Sequence, residues 1–159
     1  ADAEEEMKEI VAKGAEIRRT LVDDIERDSE SFTLYMKALR MPKDTEEQKA
    51  VRREAMQNGL KEAARVPLSV ARTAAEIFPL AEAVIARGNT NAVTDGLVAA
   101  MMARTAVIGA LFNVKINLGS IKDEEFRAEM EKEVSRLEAE AVEYEKRILK
   151  SSELSDSLC

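Results

Sequence analysis

The 159-residue sequence has no histidine and no tryptophan, and it holds one cysteine, six glycines and three prolines. Without histidine the chain cannot build a Ser-His-Asp or Cys-His catalytic apparatus, a zinc finger or a Glu-x-x-His di-iron site. One cysteine can form neither an internal disulfide nor a CxxC redox pair, which suits a reducing compartment. Any catalysis must therefore use carboxylate, amide, lysine, arginine, tyrosine or backbone groups.

The charge balance narrows the possible partners. Acidic side chains outnumber basic ones by 31 to 24, and the net charge of −7 argues against nucleic acid and anionic membranes. The first six residues are acidic rather than basic and apolar, so we expect no signal peptide in them. We expect a cytoplasmic protein. Apolar residues make up 45% of the chain, which predicts a globular domain with a substantial core.

The sequence predicts an all-α fold, an up-and-down array of long helices. Period-two alternation and Asn-Gly or Asp-Gly hairpin signals are missing. Apolar residues recur at helical spacing over residues 3–41, and we expect the aromatic part of this stripe to be core. Thr45 with Gln48 forms a capping-box pattern that begins a second helix. The expected core side chains near the end of the first helix are Phe32, Tyr35 and Met36.

Proline and glycine divide the middle of the chain. The second helix runs towards Val66, and Pro67 either stands in the first turn of a third segment or kinks the helix. The third segment ends at Gly88, the residue type expected just past a helix C-terminus. Pro79 lies inside this segment and should kink it or divide it in two.

The last two helices differ in their hydrophobic pattern. Residues 97–118 are apolar on nearly every side, so we expect a helix that is buried all round. Arg104 near the middle of this helix disfavours a membrane span, because a charge is expensive in lipid. The final helix carries a narrow apolar seam over residues 126–148. That seam can pack within the chain or against a second copy.

The most informative polar residues lie between 88 and 117. Thr94 or Asp95 can cap the helix that follows a short polar loop. A carboxylate at that place is stabilised by the helix dipole, so Asp95 suits a base or an acceptor for an N–H-rich substrate. Asn113 and Asn117 share one helix face. They either bind something specific or satisfy backbone groups and neighbouring helices.

Five further polar residues have a plain structural interpretation, and two of them also have a functional one. Asn89 and Asn91 are most economically turn residues. Arg104 is either the partner in a buried ion pair or an anchor for an anion. Asp28 is either a site carboxylate or the boundary of the apolar stripe. Lys43 belongs to a modest basic patch, which is usually a solvated surface.

Five short motifs occur in an order that resembles a known family. They are Asp-Ser-Glu-Ser-Phe at 28–32, Met-Pro-Lys-Asp-Thr-Glu-Glu-Gln-Lys at 41–49, Val-Pro-Leu at 66–68, Gly-Asn-Thr-Asn-Ala-Val-Thr-Asp at 88–95 and Asn-Val-Lys-Ile-Asn-Leu at 113–118. Together they resemble the cyclodeaminase/cyclohydrolase family. That family includes the C-terminal domain of formiminotransferase-cyclodeaminase and free-standing bacterial and archaeal relatives.

The resemblance implies an architecture and an assembly. We expect one helical cyclodeaminase-like domain over residues 1–150, intertwined in a homodimer or higher oligomer, and a frayed tail over 151–159. Members of the family usually begin with a further helical hairpin that carries a Pro-Gly-Gly-Gly-Ser-like segment. The sequence as given holds no such segment.

The resemblance also implies an activity. It predicts closure of 5-formimino-tetrahydrofolate to 5,10-methenyl-tetrahydrofolate with release of ammonia, a step of histidine degradation. The alternatives are a methenyl-tetrahydrofolate cyclohydrolase and a non-catalytic helical module that self-associates through the seam over 126–148. The resemblance further implies a tetrahydrofolate derivative as the substrate, no metal, and a fused or separate formiminotransferase as a partner.

By this resemblance and the chemistry it implies, the site contains two carboxylates and a larger polar set. The carboxylates take the N10 proton of the folate and help the amine to leave. The amides fix the pterin or formimino group, and the cations meet the glutamate tail. The expected catalytic residues are Asp95 and Asp28, and the expected substrate-binding residues are Asn89, Asn91, Asn113, Asn117, Arg104 and Lys43.

Overall fold

The structure is a computed structural model that describes residues 2–154. It contains five α-helices and a short 3-10 helix, with no strand in this range, which confirms the all-α prediction. Residues 155–159 of the predicted frayed tail lie outside the described part of the chain. The elements in chain order are α1 (Asp2–Leu39), α2 (Glu46–Ala75), α3 (Ile77–Arg87), the 3-10 helix Thr90–Ala92, α4 (Val93–Leu118) and α5 (Glu124–Lys150).

The first two helices form a long antiparallel hairpin. The predicted capping box is present at the start of α2, where Thr45 Oγ1 accepts from the Gln48 N–H at 3.2 Å and Gln48 Oε1 accepts from the Thr45 N–H at 3.3 Å. A side chain at Gly59 would lie 3.0 Å from the Tyr35 Cα, so the glycine lets the two helices approach closely. Phe32, which we expected in the core, is 61% exposed, whereas Tyr35 and Met36 are partly buried.

The two middle prolines have different effects. Pro67 lies inside α2, which continues to Ala75, so its placement in the first turn of a new helix is wrong. The helix break falls at Glu76 instead, and Pro79 occupies the first turn of α3. A proline is tolerated there because the first N–H groups of a helix have no intrahelical partner. The predicted division of the third segment is therefore confirmed.

The core is organised around α2 and α4. Each of α1, α3 and α5 packs on this pair, but α1 and α4 have no Cα atoms within 8 Å of each other in the described chain. The predicted seam of α5 is buried against α4, so it packs within the chain and is not available for self-association. The largest fully buried apolar side chains are Phe78, Leu111, Ile148, Val107 and Val114.

The expectation that α4 is buried all round is wrong. Met102, Phe112 and Ile116 are 63%, 60% and 76% exposed, because the neighbouring helices cover only one side of α4. The segment Thr90–Leu118 is long and apolar enough to cross a membrane by length and composition, and 39% of its apolar window is buried inside the fold. One face of α4 thus combines core-like composition with exposure to solvent.

Candidate functional site

An apolar cleft of about 670 Å³ lies between the first half of α1 and the beginning of α4, with α3 as its floor. Nearly all of its lining is hydrocarbon. Two charged side chains also line it, Arg18 from α1 and Asp95 from α4. The apolar and small residues that line it are Ile10, Gly14, Ile17, Leu21, Val22, Ile25, Ile77, Leu80, Ala81, Val84, Gly96 and Ala99.

A tight turn between α3 and α4 positions Asp95. The Gly88 N–H donates to the Val84 carbonyl at 2.9 Å and ends α3. Asn89 Oδ1 accepts from the Asn91 N–H at 2.9 Å, so the interpretation of these two asparagines as turn residues is confirmed. The 3-10 helix runs directly into α4, which begins at Val93. Asp95 is therefore the third residue of α4, and the prediction that Thr94 or Asp95 is its N-cap is wrong.

The beginning of α4 is held against α3 at Gly96. A Cβ atom at this position would lie 2.5 Å from Ile85 Cγ1 and 3.5 Å from the Ala81 carbonyl oxygen, so only glycine allows this contact without a shift. Asp95 immediately precedes it and is exposed at the edge of the cleft. It lies in the first turn of α4. The arrangement presents a carboxyl group at the edge of an apolar cavity.

Two ion pairs join α1 to α3 and to the break that precedes α3. Glu6 accepts three hydrogen bonds from Arg87, with Nε to Oε2 at 2.9 Å, and these bonds hold the pKa of Glu6 below its usual value. Lys13 lies 2.9 Å from Glu76, which raises the pKa of the lysine. Arg18 forms no ion pair within residues 2–154. It is therefore the cation in the cleft that is free to meet an anionic ligand.

The two asparagines of α4 lie at its opposite end. Asn117 Nδ2 donates to the carbonyls of Ala63 and Asn113, each at 2.9 Å, and Asn113 Nδ2 donates to the Gly109 carbonyl at 3.1 Å. These contacts confirm the interpretation that both amides satisfy backbone groups. Asp95 and Asn113 are 18 residues apart, which is five helical turns or about 27 Å along one line of the helix.

The remaining predicted residues do not join Asp95 within one chain. Arg104 points to α5, where its Nε lies 3.0 Å from Glu145 Oε2 without aligned hydrogen-bond geometry. The ion pair is therefore confirmed, but its predicted burial is wrong, because the Arg104 side chain is 42% exposed. Asp28 continues the Leu21 face of α1 two turns further on and is exposed, outside the lining of the cleft. Lys43 is exposed in the loop between α1 and α2. Of the predicted set, Asp95 alone lines the cleft.

The sequence pattern did not indicate Arg18 as a site residue. It belongs to an exposed, charged side of α1 and looks like an ordinary solvated residue. The signal that could have found it is its place directly after Ile17 and four residues before Val22, both of which line the cleft. Residues 2–154 contain no group of three or more metal-ligating side chains.

The sequence matches one family model and is similar to individual proteins named for tetrahydrofolate chemistry. A family model described as formiminotransferase-cyclodeaminase matches residues 1–136. A methenyltetrahydrofolate cyclohydrolase from Methylorubrum extorquens is 37% identical over 92% of this chain and 71% of its own length. A formimidoyltransferase-cyclodeaminase from Sus scrofa is 40% identical over 74% of this chain, which spans 22% of that protein.

The fold is also similar to a solved structure. A crystal structure of formiminotetrahydrofolate cyclodeaminase from Thermotoga maritima superposes with a TM-score of 0.81 at 35% sequence identity. The match covers 94% of this chain and 71% of that protein. The similarity therefore includes almost the whole helical array described above.

Proposed function

This chain belongs to the formiminotransferase-cyclodeaminase family, and we propose that it acts on the one-carbon group between N5 and N10 of a tetrahydrofolate. The observation that carries this proposal is the apolar cleft with Asp95 at its edge. Relatives named for formimino- and methenyl-tetrahydrofolate chemistry support the choice of substrate. The main activity we assign is cyclisation of 5-formimino-tetrahydrofolate to 5,10-methenyl-tetrahydrofolate with release of ammonia.

The dimensions and chemistry of the cleft support a folate ligand. Its volume falls in the ordinary range for small-molecule sites, and its hydrocarbon walls suit a pterin and an aminobenzoyl ring. The Asp95 carboxylate is an acceptor for N–H groups and an electrostatic partner for an amidinium cation. Arg18 offers a guanidinium to the carboxylates of the glutamate tail.

The assigned reaction needs one proton shuttle. N10 attacks the carbon of the protonated formimino group and forms a C–N10 bond. Asp95 takes the proton from N10 and returns it to the former imino nitrogen, which leaves as ammonia when its C–N bond breaks. The positive charge remains on the N5–C–N10 unit of the product. Because the attack is intramolecular, a cleft that folds the substrate correctly supplies much of the rate.

Hydrolysis of methenyl-tetrahydrofolate is the second candidate. The similarity to the Methylorubrum extorquens protein favours it. Water adds to the same carbon, one of its protons goes to Asp95 and then to solvent, and the C–N5 bond breaks with protonation of N5. The same carboxylate therefore serves both reactions, and the presence of a leaving amine distinguishes them.

The ammonia-releasing reaction also implies a partner. Its formimino substrate has to be produced by a formiminotransferase, separate from this chain or fused to it. The porcine relative, of which this chain spans 22%, is named for both activities. With such a partner, we propose that the assigned reaction belongs to histidine degradation.

Turnover assays test the assignment. The purified chain is given 5-formimino-tetrahydrofolate, and methenyl absorbance and ammonia are followed; a parallel assay follows loss of methenyl-tetrahydrofolate. Asp95→Asn should lower kcat by about 10²- to 10⁴-fold, as expected for loss of a general acid–base group. Glu125→Gln removes a carboxylate from the first turn of α5 and should leave kcat unchanged. Absence of turnover with both substrates, or full activity of Asp95→Asn, would contradict the proposal.

A further inference from the structure

A second hollow, of about 590 Å³, lies between α2 and α5. We call it the α2–α5 hollow. Its floor is formed by the apolar side chains of Leu68, Phe126 and Met130. Cations outnumber carboxylates on its walls by four to two, although the whole chain has a net charge of −7. The charged residues that line it are Arg65, Arg72, Lys132, Arg136, Glu129 and Glu133.

Two ion pairs between α2 and α5 close the hollow at its ends. Lys61 Nζ lies 2.7 Å from Asp123 Oδ2 at one end, and Arg72 Nε lies 2.9 Å from Glu133 Oε1 at the other. Between these pairs no hydrogen bond or ion pair joins the two helices within residues 2–154. The open stretch is about 16 Å long, since Lys61 and Arg72 are three turns apart on α2. A closed space of this length and volume suits a small molecule.

The Glu133 carboxylate orients the two arginines at one end of the hollow. Its Oε1 accepts from Arg72 Nε and from Arg136 Nη2, and its Oε2 accepts from Arg136 Nε, each at 2.9 Å. Arg72 donates no other hydrogen bond within the described chain, so its two terminal nitrogens are available to a ligand. A guanidinium that is already held in place loses little side-chain entropy when it binds an anion.

A second guanidinium lies at the other end of the hollow, over the ring of Phe126. The Arg65 Cζ atom is 5.0 Å from the centre of this ring, and the Lys61 ammonium is 5.4 Å from it. Arg65 also pairs with Glu62 of its own helix, and half of its side chain is exposed. Arg65 and Arg72 are two helical turns apart, so they lie on the same side of α2, separated by about 10 Å along the helix.

We propose that the α2–α5 hollow binds an elongated organic dianion with a carboxylate at each end and an apolar middle. One carboxylate accepts from the terminal nitrogens of Arg72, and the other accepts from Arg65. The middle of the ligand lies over Leu68 and Met130, which are buried in the floor. Lys132 makes no ion pair within residues 2–154 and adds a positive charge to the wall.

This site is separate from the cleft that holds Asp95. The hollow begins beside Asp123, which follows the end of α4, whereas Asp95 lies in the first turn of that helix. These two levels are about 35 Å apart along α4. One small ligand therefore cannot contact both places, and the proposal for the hollow does not depend on the folate assignment.

An acidic helix of a partner protein is the other occupant with a matching charge. A long helix would have to pass over the Lys61–Asp123 and Arg72–Glu133 pairs, which bridge α2 and α5 at both ends of the hollow. The closed ends therefore favour the small molecule. A helical peptide with glutamates seven residues apart is included in the test. Tighter binding of this peptide than of the dianion would overturn the proposal.

Isothermal titration calorimetry with biphenyl-4,4′-dicarboxylate tests the site. The two carboxylates of this rigid dianion are about as far apart as Arg65 and Arg72. Biphenyl-4-carboxylate has the same apolar body and one carboxylate less. The dianion should bind the full chain at one site, and the monoanion should bind at least about 10-fold more weakly, because it loses one set of charge-assisted hydrogen bonds. Equal affinities, or no binding of the dianion at millimolar concentration, would overturn the proposal.

Variants locate the bound dianion. Arg65→Gln and Arg72→Gln should each lower its affinity at least about 10-fold. Arg53→Gln removes the same charge from an exposed position of α2 outside the hollow and should leave the affinity unchanged. Circular dichroism confirms that the variants are folded, and Arg65→Gln alone decides if Arg72→Gln is not. Equal effects of Arg53→Gln and of the variants in the hollow would overturn the site.

The apolar cleft is the remaining place where the dianion could bind, because Arg18 lines it. Arg18→Gln should leave the affinity for the dianion unchanged. A loss of affinity in this variant would place the dianion in the cleft and overturn the proposal. The measurement is binding alone, so a chain without folate turnover that still binds the dianion through Arg65 and Arg72 would contradict only the proposed function.

Discussion

The side-chain amide of Asn117 donates a hydrogen bond to the Ala63 carbonyl, with 2.9 Å between Nδ2 and the oxygen. In a regular helix this carbonyl would accept from the N–H four residues later. That residue is Pro67, which has no N–H, and it lies inside α2. Asn117 therefore supplies the hydrogen bond that the proline removes. The contact fastens the end of α4 to the middle of α2.

Loss of this amide should destabilise the fold. Asn117→Ala leaves the Ala63 carbonyl without a protein partner, and we expect the free energy of unfolding to fall by about 1–3 kcal/mol. Asn113→Ala is the matched control, because its amide donates to Gly109, a carbonyl that already has a partner within the helix. The control should cost less than about 0.5 kcal/mol. Urea denaturation measures both, and equal costs would contradict the assigned role.

A double-mutant cycle tests the link to Pro67. In Pro67→Ala the new N–H can pair with the Ala63 carbonyl, so Asn117→Ala should cost about 1 kcal/mol less in that background. The measurement is the same urea titration on the wild type, both single variants and the double variant. Additive costs would show that the amide stabilises the fold for some other reason than the missing N–H.

Features that depend on neighbouring residues were predictable from the sequence, whereas the hydrogen bond that compensates for Pro67 was not. The Thr45–Gln48 capping box lies within four residues, so its pattern suffices. The Asn117–Ala63 contact spans 54 residues, so its geometry follows from the packing of two helices. The exposure of one side of α4 was also beyond the sequence, because the residues on that exposed side have the same apolar composition as the residues in the core. The cleft residue Arg18 resembled an ordinary surface charge, because the cleft is formed by helices that are far apart in the sequence.

Gly96 should be intolerant of substitution. Gly96→Ala places a Cβ atom 2.5 Å from Ile85 Cγ1, and a β-branched side chain has little freedom to move away. We expect a loss of about 1–3 kcal/mol, the usual cost of overpacking. Because the shift displaces the neighbouring Asp95, kcat should fall as well. Thermal denaturation and the turnover assay measure the two effects.

Gly14→Ala is the control for this prediction. Gly14 is also inside a helix, but a Cβ atom there meets nothing within 4 Å. It should therefore raise stability by about 0.5–1 kcal/mol through the better helix propensity of alanine. Gains in stability from both substitutions would mean that α3 and α4 are not in tight contact at Gly96.

The Glu6–Arg87 pair should protect the first turns of α1. Arg87→Gln removes the cation that joins the end of α3 to α1, so amide hydrogen exchange over residues 3–10 should become faster. Arg65→Gln removes a pair with Glu62 inside α2 and should not change exchange in α1. High salt should reproduce the effect of Arg87→Gln in the wild type, because exposed pairs are screened. Unchanged exchange in Arg87→Gln would show that other contacts hold α1.

Glu133 should make stability depend on pH in the acid range. Hydrogen bonds from Arg136 and from Arg72 of α2, with Nε–O distances of 2.9 Å, lower its pKa from 4.5 to about 2. Because the folded pKa lies below the unfolded one, the contribution of Glu133 to stability is complete above about pH 4.5 and disappears as the pH falls towards 2.

Glu133→Gln should therefore cost about 1 kcal/mol at neutral pH, a modest value because the side chain is partly solvated. The difference from the wild type should shrink below pH 4.5 and vanish near pH 2 in urea titrations. Glu129→Gln, which changes an exposed carboxylate one turn earlier on α5, should show no such trend. A gap between Glu133→Gln and the wild type that stays constant from neutral pH to pH 2 would rule out the ion pairs as its cause.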